Sequence, residues 1–407
     1  MAVRIGLDLV GRVDGDPDAA LQKIQDVLRA RPDDPAPTCE RVEGGLLVGI
    51  HPAAEPLVFE ARGSALRLSA NSATAGPGFH RHVVELAESL PVRWDGGGDS
   101  TGWRDTRDDD ALEEVFLDWL GAAAAQVLEL AEQGASGFAL AMPAGIAFEH
   151  DEAVTTQVGP RSLAWLEATR DDPRAGIDLF PWWSAARDAA YFRDLALGAM
   201  WQVIRWRAPL AAEERALMDR VATWIERAHG LDPTLELPWA EQSELLTYLQ
   251  ESSLRATRAH LKAQSLPPPR IGFRRRPVRV ELSGGWSLTV PGELAERWEE
   301  RGTWVGWDET RSVFFNSFTA QGDGPAPSTD ETLKSMPPLE GDELLELERD
   351  ELRGIAAISE VEEDGQPMFR LDAHAAIGAH AAIGTILFIE PADREWALST
   401  WGSLARR

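Results

Sequence analysis

Thirteen residues from Pro267 to Arg279, PPPRIGFRRRPVR, limit the folding of this chain more than any other stretch. Three consecutive prolines remove three backbone donors and push Leu266 toward extended or polyproline conformation, so a helix arriving from the N-terminal side must end there. The segment acts as a spacer. A polyproline stretch rises about 3.1 Å per residue and resists bending, which predicts that the parts on either side fold separately at a fairly fixed separation. Five arginines follow with no acid among them: Arg270, Arg274, Arg275, Arg276 and Arg279. They stand in a protein of formal net charge −27. Docking onto an acidic face of the same molecule or of a sister subunit is the simpler expectation for them, with an external partner as the other. Nucleic acid is a poor candidate, because one short basic run on an anionic protein supplies little of the usual phosphate footprint.

At 407 residues there is room for two or three domains with real cores. A content of 44% hydrophobic and 26% charged residues excludes wholesale disorder. The single cysteine, Cys39, forbids an intramolecular disulfide. No charged-then-apolar leader opens the sequence, so the expected compartment is the cytoplasm. The longest uncharged runs, Gln133–Phe148 and Ala373–Ile389, fall short of a spanning helix and are broken by glycines, so no membrane span is expected. Only Lys23, Lys262 and Lys334 are lysines, a bias that fits a GC-rich bacterial coding sequence, and none follows a glycine-rich phosphate loop. Sixteen tryptophans against two tyrosines predict many large core or interface anchors.

The hydrophobic pattern predicts an α+β multidomain protein. Residues 1–150 read as an α+β domain: a strand at Val3–Leu9, a helix from Asp16-Pro17 with Leu21, Ile24, Val27 and Leu28 on one stripe, and strands near Cys39–Ile50, Leu57–Ala61 and Ala65–Ala70. A short helix through His80 and His82 and a strand at Val92–Trp94 follow. A flexible polar loop from Gly96 to Asp110 then precedes a long helix. Residues 151–266 read as a helical region packed on that domain. Its stripes are Phe192–Leu195–Ala199–Val203–Trp206, Leu217–Val221–Trp224–Ala228 and Leu245–Leu246–Leu249–Ala256.

After the joint at 267–279, residues 280–407 return to strand character. Ser287–Pro291 reads as a strand and Glu293–Arg301 as a short helix. Thr303–Trp307 with Val313–Thr319, and Ile355–Val361 with Met368–Asp372, form two hairpins. The motif AHAAIG occurs twice in succession at Ala373–Gly384, before a C-terminal helix carrying Trp396, Leu398 and Trp401. This region resembles the PsbP-like α/β-sandwich family at Leu288-Thr289-Val290-Pro291, at Trp304–Asn316 and at Thr385–Leu404. The resemblance covers about the last third. It implies an antiparallel sheet closed by a terminal helix, used for binding and assembly, with no catalytic machinery.

Candidate chemistry is sparse. Asp14-Gly15-Asp16-Pro17-Asp18 fails as a calcium loop, since Ala19 occupies the turn position and Gln25 the bidentate one. His80 and His82 are the best metal-like pair, but on a helix residues two apart diverge by about 200°. Glu149-His150-Asp151 reads as a solvated turn. His374 and His380 would share a face only on one continuous strand, and packing of small residues against the terminal helix is the simpler reading. No G-x-S-x-G elbow or G-x-G-x-x-G fingerprint occurs, Cys39 has no nearby histidine, and Ser283-Gly284-Gly285 is an isolated turn. The aspartates Asp105, Asp108, Asp109 and Asp110 read as helix capping. No catalytic residue, cofactor or metal site is therefore expected. The sequence predicts a non-enzymatic cytoplasmic protein that binds a protein partner, a basic one if its acidity steers association rather than only keeping it soluble, as an immunity or adaptor protein does. The alternative is a hydrolytic or metal-assisted enzyme with its site near His51, His80, His82 and Asp99–Asp110.

Overall fold

The computed structural model describes residues 5–13, 15–31, 35–134, 138–140, 154–299, 302–320, 326–363 and 365–406. Asp14, the Glu149-His150-Asp151 turn and part of the loop after Ala320 lie outside them. The protein is a mixed α+β multidomain molecule, and its described residues divide into two compact units. One draws on residues 5–140, 154–204 and 216–272, the other on 205–215 and 273–406.

The first unit opens with β1 (Gly6–Arg12) and α1 (Pro17–Arg29). Asp16 caps α1 by accepting from the Asp18 amide at 3.1 Å, Pro17 presets the first turn, and Leu21, Ile24 and Leu28 are fully buried. Four strands follow: β2 (Thr38–Val42), β3 (Gly45–Gly49), β4 (Leu57–Arg62) and β5 (Ala65–Asn71). Then come α2 (Pro77–Ser89), β6 (Arg93–Asp99), α3 (Trp103–Thr106) and α4 (Asp109–Glu132). All neighbours in the six-stranded sheet are antiparallel, in the order β2-β3-β4-β5-β1-β6. Sequence adjacency set most of these pairings.

The polar loop expected from Gly96 is in its first part a strand. Gly96, Gly97 and Gly98 pair with Val10, Leu9 and Asp8, and a bulge at Val10/Gly11 absorbs an extra residue. Glycine is needed at position 97, where φ is +78° and a Cβ would lie 1.9 Å from the Asp8 carbonyl oxygen. Gly97→Ala is therefore expected to destabilise the first unit by about 1–3 kcal/mol, read as a lowered urea midpoint with an unchanged slope.

Short strands β7 (Phe138–Ala139), β8 (Val154–Thr156) and β9 (Gly159–Arg161) lead to helices α5 (Leu163–Asp171) and α6 (Ala189–Gln202), with a 3₁₀ turn at Pro173–Leu179 between them. Helices α7 (Ala212–Leu231), α8 (Trp239–Tyr248) and α9 (Leu254–Ala263) complete the helical region. Phe192, Leu195 and Ala199 of the first predicted stripe are buried, but α6 ends at Gln202 and Val203 is exposed. The third predicted stripe spans two helices, because Gln250 takes a φ of +56° between them.

In the second unit β10 (Val278–Glu281), β11 (Trp286–Val290) and β19 (Ala405–Arg406) make a three-stranded sheet. The larger sheet contains β12 (Ala295–Trp298), β13 (Trp304–Trp307), β14 (Arg311–Thr319), β15 (Glu343–Arg349), β16 (Leu352–Glu363), β17 (Gln366–Ile377) and β18 (His380–Phe388). Its order is β12-β13-β14-β18-β17-β16-β15, with helices α10 (Thr329–Lys334) and α11 (Arg394–Gly402) beside it. Strand β12 replaces the helix expected at Glu293–Arg301. Pairing Trp298 across to Trp304 rewards a four-residue strand, whereas an isolated helix that short cannot offset its nucleation cost. The tandem AHAAIG folds back on itself, since Gly378 adopts φ +54° and β17 meets β18 with Ile377 opposite His380. His374 and His380 therefore do not lie along one strand. The close approach of the terminal helix falls on Gly354 of the neighbouring strand β16, where a Cβ would lie 2.7 Å from the Trp401 ring; Cβ atoms on Gly378 and Gly384 of the tandem would not meet that helix.

Candidate functional site

The first unit encloses a hydrogen-bonded chain that the sequence did not announce. Ser72 opens the link after β5, His80 sits one turn into α2, and Asp99 closes β6. The His80 Nδ1 lies 3.1 Å from the Ser72 hydroxyl and its Nε2 lies 3.0 Å from Asp99 Oδ1. The Thr101 hydroxyl donates to the same carboxylate oxygen at 2.8 Å, and the amides of Thr101 and Arg104 donate to Asp99 at 2.8 Å each. Burial pushes the Asp99 carboxyl up, but the hydrogen bond and charge of His80 and these amides outweigh it and hold the carboxyl well below the usual range. Asp99 Oδ1 accepts from Nε2, and Nδ1 stands within hydrogen-bond reach of the Ser72 hydroxyl. The connectivity is that of a serine–histidine–aspartate relay. Access decides its role: Ser72 and His80 are 0% exposed, so no substrate carbonyl can approach the hydroxyl. It pins three elements together.

The other histidines of that region are held apart. The His82 ring packs on Trp182 with centroids 4.9 Å apart, away from the His80 network, as the helical spacing requires. His51 is buried, accepts the Ala53 amide on Nδ1 at 3.1 Å and meets Tyr191 edge-on; burial lowers its pKa to about 3, so it stays neutral. Among the described residues no group of three or more His, Cys, Asp or Glu side chains is arranged to hold a metal ion. The predicted aspartate caps are partly in place. Asp108 accepts the Ala111 amide at 3.0 Å, while Asp109 takes Arg81 at 2.9 Å and the Trp103 indole at 2.8 Å.

A cavity of about 530 Å³ opens in the helical part of the first unit. Helix α6 places Asp194 in its wall, 5% exposed, with Arg193 donating to both carboxylate oxygens at 2.7 and 3.1 Å. Burial outweighs that pairing, nearby Asp178 adds its charge, and the Asp194 carboxyl is raised to about 6. Asp178 accepts from Arg161 at 3.1 Å and from the Trp165 indole at 3.0 Å. Glu241, 7% exposed on α8, accepts the backbone amides of Arg270 and Ile271 at 2.9 and 3.2 Å. The proline segment thus forms one wall of the cavity through Leu266, Pro267 and Pro268.

The five joint arginines separate accordingly. Arg270 belongs to the first unit and lines the cavity. The other four belong to the second unit. Arg274 donates to Glu296 at 2.6 Å, and Arg205 donates to the same carboxylate at 3.0 Å. Arg275 lies 3.5 Å over the Trp206 ring, Arg276 donates its amide to the Phe273 carbonyl, and Arg279 donates to the Ser287 hydroxyl at 2.9 Å.

Sequence reasoning passed over Asp194. Its signal was available: Arg193-Asp194 is the one charged pair inside the otherwise uncharged helix AAYFRDLALGAMWQ. Nothing comparable marked Ser72; His80 and Asp99 were placed in one region by the hydrolytic alternative, but their direct pairing needs the end of β6 to lie beside α2.

No family model matches the chain, and no curated protein matches it. Solved structures do, including a protein of Bacteroides thetaiotaomicron VPI-5482 at 14% identity and a TM-score of 0.25, over 30% of this chain and 45% of that one. The PsbP-like resemblance of the C-terminal third draws no support from these comparisons. Among the described residues no helix is long and apolar enough to cross a membrane.

Proposed function

We propose that the protein is a non-enzymatic cytoplasmic binder of a basic protein partner, acting as an immunity or adaptor protein does. One contrast carries this reading. The only described constellation with relay geometry, Ser72–His80–Asp99, is closed to solvent, while the large cavity that is open presents carboxylates, guanidinium groups and apolar walls and no serine, cysteine or histidine. An open site without a nucleophile suits recognition better than covalent chemistry. The net charge of −27 supports a cationic partner, since long-range attraction raises the encounter rate. Arg274, Arg275 and Arg279 of the basic run play no part in the partner contact under this proposal, because they are already engaged inside their own unit.

The hydrolytic alternative has the relay connectivity in its favour and the burial of Ser72 against it. Affinity capture from cell extract at stepped ionic strength, followed by binding measurements on the purified partner, separates the two. The binding reading expects a basic protein whose affinity falls at least about tenfold between 50 and 500 mM salt, as the Debye length contracts. A salt-independent affinity, or a partner without excess positive charge, would overturn it.

A further inference from the structure

We propose that the cavity beside the proline segment is the receptor for one cationic side chain, arginine or lysine, of the protein partner. This rests on the binding reading above and names the point of contact. The charge count in the wall comes first. Asp178, Asp194, Glu236 and Glu241 face Arg161, Arg193 and Arg270, four carboxylates against three guanidinium groups. Arg161 is spent on Asp178 and Arg193 on Asp194. Glu241 is held by backbone amides, which leave its full charge in place, and exposed Glu236 has no ion pair among the described residues. The unneutralised charge of the cavity is negative.

The walls fit the other half of such a side chain. Leu197, Leu237, Pro238, Pro267 and Pro268 give an apolar wall for a methylene stem whose charged head needs the acids. The prolines and the Glu241 bonds fix that wall before anything binds, which lowers the ordering cost. An anionic ligand fits less well, because reaching Arg161 or Arg193 means displacing a carboxylate that already holds it. Asp194 supplies a further driving force. Faced by Arg193 on its own helix, Asp178 on the 3₁₀ turn and Arg161 on β9, it still titrates near pH 6, so a second cation would hold it ionised.

The test uses the full-length protein and four capped tripeptides that differ only at the central residue: arginine, lysine, citrulline and glutamate. Binding is followed at the Trp165 indole by ¹⁵N NMR, with Trp165→Phe to assign the signal. The arginine and lysine peptides are expected to shift that signal saturably at pH 7.5, with affinity falling as pH drops through 6. Citrulline and glutamate should leave it unmoved. Glu236→Gln, an exposed position, should weaken binding about fivefold, and Asp194→Asn should abolish the pH dependence. Equal binding of citrulline, or no shift with any probe, overturns the proposal. So does preferential binding of the glutamate peptide with loss in Arg270→Gln, which would mark an anion site. The two readings fail differently. If the whole partner keeps its salt-sensitive affinity for Glu236→Gln and Asp194→Asn, the cavity is not the contact although the partner is basic; a salt-insensitive partner removes the binding reading whatever the peptides do.

Discussion

Asp99→Asn is expected to destabilise the first unit by about 3 kcal/mol or more, while leaving the second unit unchanged. The reason is donor counting. Asp99 Oδ1 receives His80, the Thr101 amide and the Thr101 hydroxyl, and Oδ2 receives the Arg104 amide. An asparagine amide group in either orientation sets a donor against a donor. Facing Arg104 it orphans that amide; turned round, it faces His80 and Thr101. Each buried donor left without an acceptor costs about 1–3 kcal/mol, and bonds to a charged acceptor lie at the upper end. Unfolding in urea, read through amide exchange in β1 and β6 for the first unit and in β17 and β18 for the second, measures the loss unit by unit. A change below about 1 kcal/mol would show that the chain does not pin these elements. The same carboxylate predicts a pH dependence. Its folded pKa lies below the unfolded value, so its contribution is fully present above about pH 4 and is lost as pH falls through the folded value. Asp99→Asn should therefore flatten the acid limb of the stability curve.

The second large effect is expected at Glu296→Gln. Glu296 accepts from Arg274 at 2.6 Å and Arg205 at 3.0 Å, and the three side chains are only 15–25% exposed. Burial alone would raise the Glu296 carboxyl; the two guanidinium groups outweigh it and lower it. Arg274 is lowered by its burial and by the like charge of Arg205. Removing the carboxylate leaves two half-desolvated cations facing each other, at a cost of about 3–5 kcal/mol to the second unit. Arg205→Met should cost less, because the Arg274–Glu296 pair survives and the repulsion disappears. Replacing all three residues by apolar ones of similar volume should be close to neutral. Thermal unfolding of the three variants gives the order, and Arg205→Met costing more than Glu296→Gln would contradict the electrostatic account.

Much of the local structure was legible in the chain. Asp16-Pro17 announced α1, the alternating runs announced the two hairpins of the second unit, and Trp396 and Trp401 announced the terminal helix. Each of these signals is local: a cap, a turn, or a period of 2 or 3.6 residues. Misreadings arose where a distant partner overruled the local pattern. Three glycines at 96–98 look like a loop until β1 offers hydrogen bonds, and Ala295–Trp298 reads as helix until Trp304 lies opposite. For the candidate site the balance tilts further. The cavity joins residues from Arg161 to Ile271 that no spacing rule connects.

The proline–arginine stretch shows where the two levels divide. By itself the sequence determined that a helix ends before it and that the parts around it differ in make-up, because missing amide donors and fixed φ angles act on the residues that carry them; the 3₁₀ turn at Phe273–Arg275, which interrupts the extended path expected through the stretch, was not announced. Only the tertiary structure decided that Arg270 lines a cavity in one unit while Arg274 shares a carboxylate with Arg205 in the other. Charge carries no address. A guanidinium is attracted to any of 67 acidic residues, and only packing selects which one stands close enough, and dry enough, to matter.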